Sequence, residues 1–285
     1  MMNSKTIFVT GGTGNQGGAV AKNLLQNGFS VKVLTRNPES VNAQNLKKLN
    51  AEIIKGDLDM PDSFSDHLKD VDGIFSVQAL SNVKKEIKQG IALADLAKEL
   101  TIKHLVYTSV VSAEMHTGIP HFESKLVIEN HIKSIGIPYT IIRPSELFEN
   151  FLIPMVKKGI LKGKLTSPFT KDVLHQYTSA DDVGKTSVKI FSDPDRYIGG
   201  TVTLATDEMD LNKTVEIFSE VLGKPVKYQH LPLFIVRLIM GKDLYMMFNY
   251  INKNGGDFIK DIDAIKNENP NLTGLREWAM QNFKN

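Results

Sequence analysis

Cysteine is absent from the 285 residues, which excludes disulfides and thiolate catalysis outright. An excess of one charge is also missing. The 34 Lys and Arg against 32 Asp and Glu leave a formal net charge of +2, too little for a general nucleic-acid surface. No apolar run approaches the roughly 18 residues that a membrane-spanning helix needs, so no membrane span is expected. The histidines, among them His104, His116, His131, His175 and His230, are scattered without HExxH spacing, so no metal site is expected. The first residues run into an apolar strand pattern without a leader signature, which points to the cytoplasm. The Asn-x-Ser/Thr matches at Asn212 and Asn271 then read as chance. What is present is 41% hydrophobic and 23% charged, enough for a full core in one large or two modest domains.

The informative stretch is Lys5 to Gly18, KTIFVTGGTGNQGG. Ile7, Phe8 and Val9 read as a buried parallel strand, and Ala19, Val20, Leu24 and Leu25 as the start of a helix. Between them, Gly12-Thr13-Gly14-Asn15-Gln16-Gly17 matches the dinucleotide fingerprint GxGxxG, and Gly11, Gly14 and Gly17 also fit a shifted GxxGxxG form. One glycine permits the tight turn, one lets the backbone approach a pyrophosphate, and one lets helix pack on strand. The pyrophosphate would sit on the free N–H groups at the helix start. The acidic residue that would select NAD is missing after the second strand, where Thr35, Arg36 and Asn37 stand instead. A guanidinium there would bind a 2′-phosphate, so NADP(H) is expected over NAD(H). Asp57 and Leu58, after the third strand, could flank an adenine, although Asp57 fits a turn or cap equally well.

Strand and helix signals alternate along the first half. Strands are expected at Ser30–Leu34, Ala51–Ile54, Gly73–Val77, His104–Tyr107 and Tyr139–Ile142. Helices are expected around Ser63–Leu68, along a face of Val83, Ile87, Ile91 and Ala94, and from about Phe122 to Ser134. This rhythm predicts an α/β fold with a doubly wound parallel sheet over residues 1–150. Residues 151–285 are expected to form a smaller, partly intertwined lobe completing a ligand pocket. Helices are expected there at Asp181–Phe191 and Leu211–Leu222, with a strand at Val202–Leu204. Asp181 and Asp182 read as helix-capping residues, and the run KKGILKGK as a solvated helix end. Gln78, Pro144 and Phe148 fall at the sheet's C-terminal edge, where ligands bind, and join the candidate cofactor residues. The cluster at Tyr245, Met246, Met247 and Phe248 could line a pocket or pack in the core.

His121 and Lys125 in HFESK are four residues apart and share one helical face. Together with TGGTGNQGG, Arg36, GDLD at Gly56–Asp59, GIPYTIIRPSELFEN and QYTSADDVG, this pattern resembles the NmrA-like branch of the atypical short-chain dehydrogenases, from the N-terminus to about residue 205. In the broader superfamily a Tyr-x-x-x-Lys pair carries the chemistry. The resemblance implies that Lys125 holds the nicotinamide ribose, whereas His121 stands where the proton-donating tyrosine would be. It implies either a reductase of quinones, azo compounds or small carbonyls, or an NADP(H)-responsive regulator acting through a protein partner. An imidazole can donate a proton near neutral pH, so His121 and Lys125 are the candidate catalytic residues. A small-molecule substrate is expected and nucleic acid is not; the oligomeric state stays open.

Overall fold

The computed structural model describes residues 5–79, 82–269 and 271–284. In chain order the first elements are β1 (Thr6–Val9), α1 (Asn15–Gln26), β2 (Ser30–Thr35), α2 (Val41–Lys48), β3 (Glu52–Lys55), β4 (Gly73–Ser76), α3 (Val83–Glu99), β5 (Leu105–Thr108), α4 (Pro120–Ser134) and β6 (Tyr139–Pro144). They are followed by β7 (Glu146–Leu147), α5 (Pro154–Leu161), β8 (Lys164–Ser167), β9 (His175–Thr178), α6 (Ala180–Ser192), α7 (Pro194–Tyr197), β10 (Thr201–Leu204), β11 (Asp207–Met209) and α8 (Leu211–Leu222). The chain ends with β12 (Lys227–His230), α9 (Leu233–Ile239), α10 (Gly241–Asn254), α11 (Ile262–Glu268) and α12 (Leu275–Phe283).

A seven-stranded sheet runs in the order β10-β6-β5-β4-β1-β2-β3, and every pair from β6 to β3 is parallel. The short apolar runs become strands because both faces of a parallel sheet are covered; Ile7, Phe8, Ile74, Phe75, Leu105 and Val106 have no exposed surface. Each such side chain contributes about 1.5–3 kcal/mol by leaving water. The direction of winding reverses between β1 and β4. That switch point opens a crevice at the strands' carboxyl ends, where the glycine turn lies.

The chain falls into two compact units whose boundary differs from a single cut at residue 150. The first unit runs to Glu114, then takes His121–Arg143 and Ala180–Val202. The last segment returns because α6 packs along α1, where Asn23 Nδ2 donates to Asp181 Oδ1 at 2.9 Å. Asp181 therefore fastens two helices rather than simply capping its own. The second unit comprises Met115–Pro120, Pro144–Ser179 and the chain from Thr203 onward. Its core is aromatic, with Phe151 edge-on to Phe218 at 5.1 Å and Phe169 edge-on to Phe248 at 4.7 Å. Phe248 thus belongs to the core, with Tyr245 and Met247 packed against it.

Two further expectations are corrected. Ser63–Leu68 is not a helix but a pair of 3₁₀ turns, Pro61–Ser63 and Ser65–Leu68, because the Ser63 hydroxyl turns back onto Met60 O at 2.6 Å. The buried face of α3 is Glu86, Gln89, Gly90, Leu93, Ala94 and Ala97; of the expected stripe only Ala94 lies on it, while Val83, Ile87 and Ile91 are half-buried. Polar residues occupy that face because each has a partner: Gln89 Nε2 donates to Asp59 Oδ1 at 2.8 Å, and Glu86 accepts from Ser124. Among the described residues no helix is long and apolar enough to cross a membrane, and no cluster of acidic and histidine side chains could hold a metal.

One core residue makes the fold sensitive to acid. The buried His104 places Nε2 2.8 Å from Thr140 Oγ1, which donates its own proton to Tyr197 O. The imidazole must therefore carry its hydrogen on Nε2. Nδ1 has no partner among the described residues, so a second proton would be buried without an acceptor. Burial, aided by the Lys5 charge, lowers its pKa from 6.5 to about 4. A folded-state value below the unfolded one means that the stabilisation is complete above about pH 6.5 and drains away as the pH falls towards 4. Between pH 7 and 5 this group should cost about 2 kcal/mol. Thermal melts across that range should show a shallower loss for His104→Gln than for the wild type; parallel profiles would assign the acid sensitivity elsewhere.

Candidate functional site

The glycine turn is built from close backbone approach. Gly11 has φ +59°, a left-handed conformation that suits glycine, and its carbonyl accepts the Gly14 N–H at 2.9 Å. A Cβ on Gly17 would lie 2.4 Å from Gly11 O and 2.6 Å from Thr10 O, so helix and turn touch at that point. A Cβ on Gly14, by contrast, would meet a single atom within 4 Å, Gly11 O at 3.3 Å. Among the described residues, the space above Gly14 is open. Thr10 secures the turn from below: its hydroxyl donates to Val77 O and accepts from Val77 N, both at 2.8 Å, joining the ends of β1 and β4.

The start of α1 lacks the side-chain cap that several other helices carry. Ser40, Asn82 and Asp210 cap α2, α3 and α8 with side-chain oxygens. The N-cap of α1 is Gly14, without a side-chain cap, and no acidic residue lies in the first turn. The free N–H groups at Asn15 and Gln16 therefore face open space with the positive end of the helix dipole behind them. This is the arrangement that a pyrophosphate fits. Thr13 carries the turn outward, and its carbonyl accepts from Asn42 Nδ2 at 2.8 Å. Gln16 reaches across the sheet edge, its Oε1 accepting from Thr108 Oγ1 at 2.8 Å.

Other candidates sort by burial. Arg36 is exposed past the end of β2 and its side chain has no partner among the described residues, leaving its five N–H donors available. Asp57 accepts from Asp59 N through Oδ1 at 3.0 Å, the turn role that the sequence left open, and Leu58 packs partly on the core. Gln78 is buried; its Nε2 donates to Ser76 Oγ at 2.9 Å, while Oε1 has no partner among the described residues. An orphaned buried carbonyl at the sheet edge fits a ligand donor. Pro144 ends β6. The Phe148 side chain is 0% exposed, stacked on Tyr177 at 5.7 Å and tilted against Trp278 at 5.5 Å, so the ring packs in the second unit's core.

Lys125 lies on α4 with its side chain 13% exposed, and its Nζ is 2.6 Å from Glu86 Oε1 on α3. A Cβ at Gly90, one turn beyond Glu86, would meet Ile128 Cδ1 at 2.7 Å, so this glycine lets the two helices approach closely enough for the pair to form. Beneath the ammonium, 5.8 Å away, is the ring of Tyr107 on β5, beside the Thr108 that touches Gln16. The two clusters thus share the carboxyl end of β5. Burial, reinforced by Glu86 and Glu129, pushes the Tyr107 phenol well above its ordinary value and keeps it neutral. His121, at the start of α4, is 7% exposed with its ring edge-on to Phe122 at 4.9 Å.

Two buried carboxylates escape a sequence reading. One is Glu86. The other is Glu129, on α4, held by Arg143 Nε at 2.9 Å and Nη2 at 2.7 Å. Burial would raise the Glu129 carboxyl, but the hydrogen bonds from Arg143 and the guanidinium charge outweigh it and hold the group ionised. The bidentate pair fixes α4 to the end of β6, the strand that leads into Pro144.

An NmrA-like family domain-containing oxidoreductase, malD, of Malbranchea aurantiaca is 30% identical over 322 residues, covering 98% of this chain and 95% of that protein. The fold is similar to that of the Citrobacter sp. triphenylmethane reductase complexed with NADP(H), with a TM-score of 0.81 and 21% identity over 97% of this chain and 99% of that one. It is also similar to NmrA, a negative transcriptional regulator, in complex with NAD, with a TM-score of 0.79 and 20% identity over 99% and 96% of the two chains. The sequence pattern of the NmrA-like family matches residues 3–279, and the chain belongs to that family.

Proposed function

We propose that this protein is an NADPH-dependent reductase of small conjugated acceptors: quinones, azo compounds or carbonyls. The observation that carries the reading is the uncapped start of α1 above the open Gly14, with the exposed, unpaired Arg36 at the end of the neighbouring strand. Asn15 and Gln16 would take the pyrophosphate, Arg36 the 2′-phosphate, Gln78 Oε1 a donor of the ligand, and Lys125 the nicotinamide ribose. Bound there, the cofactor would supply a hydride from nicotinamide C4. The relatives support the class: the malD protein is named an oxidoreductase, and the Citrobacter reductase holds NADP(H) on the same fold. A regulator that binds the cofactor without turnover is the second reading, favoured by histidine at the tyrosine position and by the NmrA fold likeness.

Steady-state oxidation of NADPH against a panel of quinones, azo dyes and aldehydes tests the activity. Turnover of one class establishes the reductase, and tight NADPH binding without any turnover favours the regulator. Cofactor choice is tested separately. Each charge-assisted hydrogen bond to the 2′-phosphate is worth roughly 1.5–3 kcal/mol. NADPH should therefore bind at least about tenfold more tightly than NADH. Arg36→Asp should erase or reverse that preference without lowering the melting temperature, since Arg36 is exposed. Equal affinities in the wild type would mean that Arg36 does not read the phosphate.

A further inference from the structure

The Glu86–Lys125 pair is unusual in its setting. Glu86 is 1% exposed and Lys125 13%, so both charges have left most of their water. A buried ion pair is weak evidence for stability, because well-packed apolar side chains of the same volume do as well or better. Something other than stability accounts for charges at this helix crossing. Oε1 of the carboxylate faces the Lys125 ammonium at 2.6 Å as an ion pair without a hydrogen bond, while Oε2 accepts from the Ser124 hydroxyl at 2.8 Å, which is also 3.0 Å from His121 O. Its plane is fixed by the residue that precedes the lysine it orients. The Tyr107 ring supports the ammonium from below.

We infer that Glu86 is the positioning residue of Lys125, holding the ammonium at the carboxyl end of β5 for the nicotinamide ribose; this rests on the ribose role of Lys125 proposed above. A lysine side chain has about 2 kcal/mol of rotamer entropy to lose, and a ligand that must order it pays that cost on binding. Here the protein meets it in advance. An ammonium has three N–H donors. Drawn to Glu86 by charge, the ammonium keeps N–H donors for ribose hydroxyls at a fixed place. Glu86 itself touches neither cofactor nor substrate.

The test is a double-mutant cycle read by NADPH affinity, with the melting temperature of each cofactor-free variant measured alongside. Lys125→Met should weaken NADPH binding about 10- to 100-fold by removing the charge-assisted contacts, and Glu86→Gln about 5- to 20-fold by freeing the lysine. In the double variant the two losses should not multiply: its affinity should match Lys125→Met within about twofold. A merely structural Glu86 would lower the melting temperature while leaving that non-additivity absent. Should Glu86→Gln fail to fold, Ser124→Ala carries the same question. It frees the carboxylate but keeps the pair, and should weaken NADPH binding about two- to threefold in the wild type and not at all beside Lys125→Met. If Lys125→Met binds NADPH like the wild type, the ribose role falls and the positioning role with it. If Lys125→Met weakens binding but Glu86→Gln does not, or if the losses multiply, only the positioning role is overturned.

Discussion

Gly14→Val should leave the cofactor-free protein folded and abolish its response to NADPH, whereas Gly17→Val should damage the fold itself. The two glycines are one helical turn apart, yet their surroundings differ. A Cβ at Gly17 would fall within 2.6 Å of three backbone atoms of the turn, which cannot move without separating α1 from β1. Overpacking of that kind typically costs 1–3 kcal/mol or more, so a drop of roughly 5–10 °C in melting temperature is expected. At Gly14 the only neighbour among the described residues is Gly11 O at 3.3 Å, a contact that a few tenths of an ångström relieve. The added isopropyl group would instead fill the space over the N–H groups of α1. Losing two charge-assisted hydrogen bonds there corresponds to about a 10²- to 10⁴-fold loss of NADPH affinity. Melts with and without saturating NADPH separate the outcomes, because a ligand that binds only the folded state raises the melting temperature. A Gly14→Val protein that kept the full shift would show that the phosphates lie elsewhere.

This contrast marks how far the sequence could be read. The glycine turn was legible because strand, turn and helix each carry a local signature, and the parallel, doubly wound sheet follows from the alternation of strands with helices. Arg36 was legible as an absence, the missing acidic residue after β2. What could not be read depends on partners distant in sequence. Periodicity assigns apolar residues to a helix's buried face, so it chose Val83, Ile87 and Ile91 on α3. The structure buries Glu86 and Gln89 instead, because Lys125, Ser124 and Asp59 are there to satisfy them. Phe148 follows the same logic in reverse. Its position after β6 is where ligands gather, but its ring packs on Tyr177 and Trp278. The return of residues 180–202 to the first unit was equally hidden, since the contact that holds them pairs Asn23 with Asp181, 158 residues later.

His121→Phe should separate the substrates of a reductase. The imidazole stands at the first turn of α4, one turn before Lys125. If it is the proton donor for a carbonyl, its loss should cost about 10²- to 10⁴-fold in turnover, the usual contribution of general acid catalysis. A quinone needs less help, since its reduced oxygens can take protons from water, so the same substitution should cost far less there. NADPH affinity should be unchanged in both cases if, as proposed, Lys125 and not His121 contacts the ribose. The ring is 7% exposed and packs edge-on to Phe122, so a second variant, His121→Gln, guards against a packing artefact. Equal losses on quinones and carbonyls, or a parallel loss of NADPH affinity, would mean that His121 supports the site without donating a proton. Should the wild type bind NADPH tightly and reduce nothing, the comparison moves to the regulator reading. NADPH and NADP⁺ must then bind its conformations or assemblies with different affinities, since a ligand shifts an equilibrium only by that difference. Equal responses to the two forms would sink redox sensing as well.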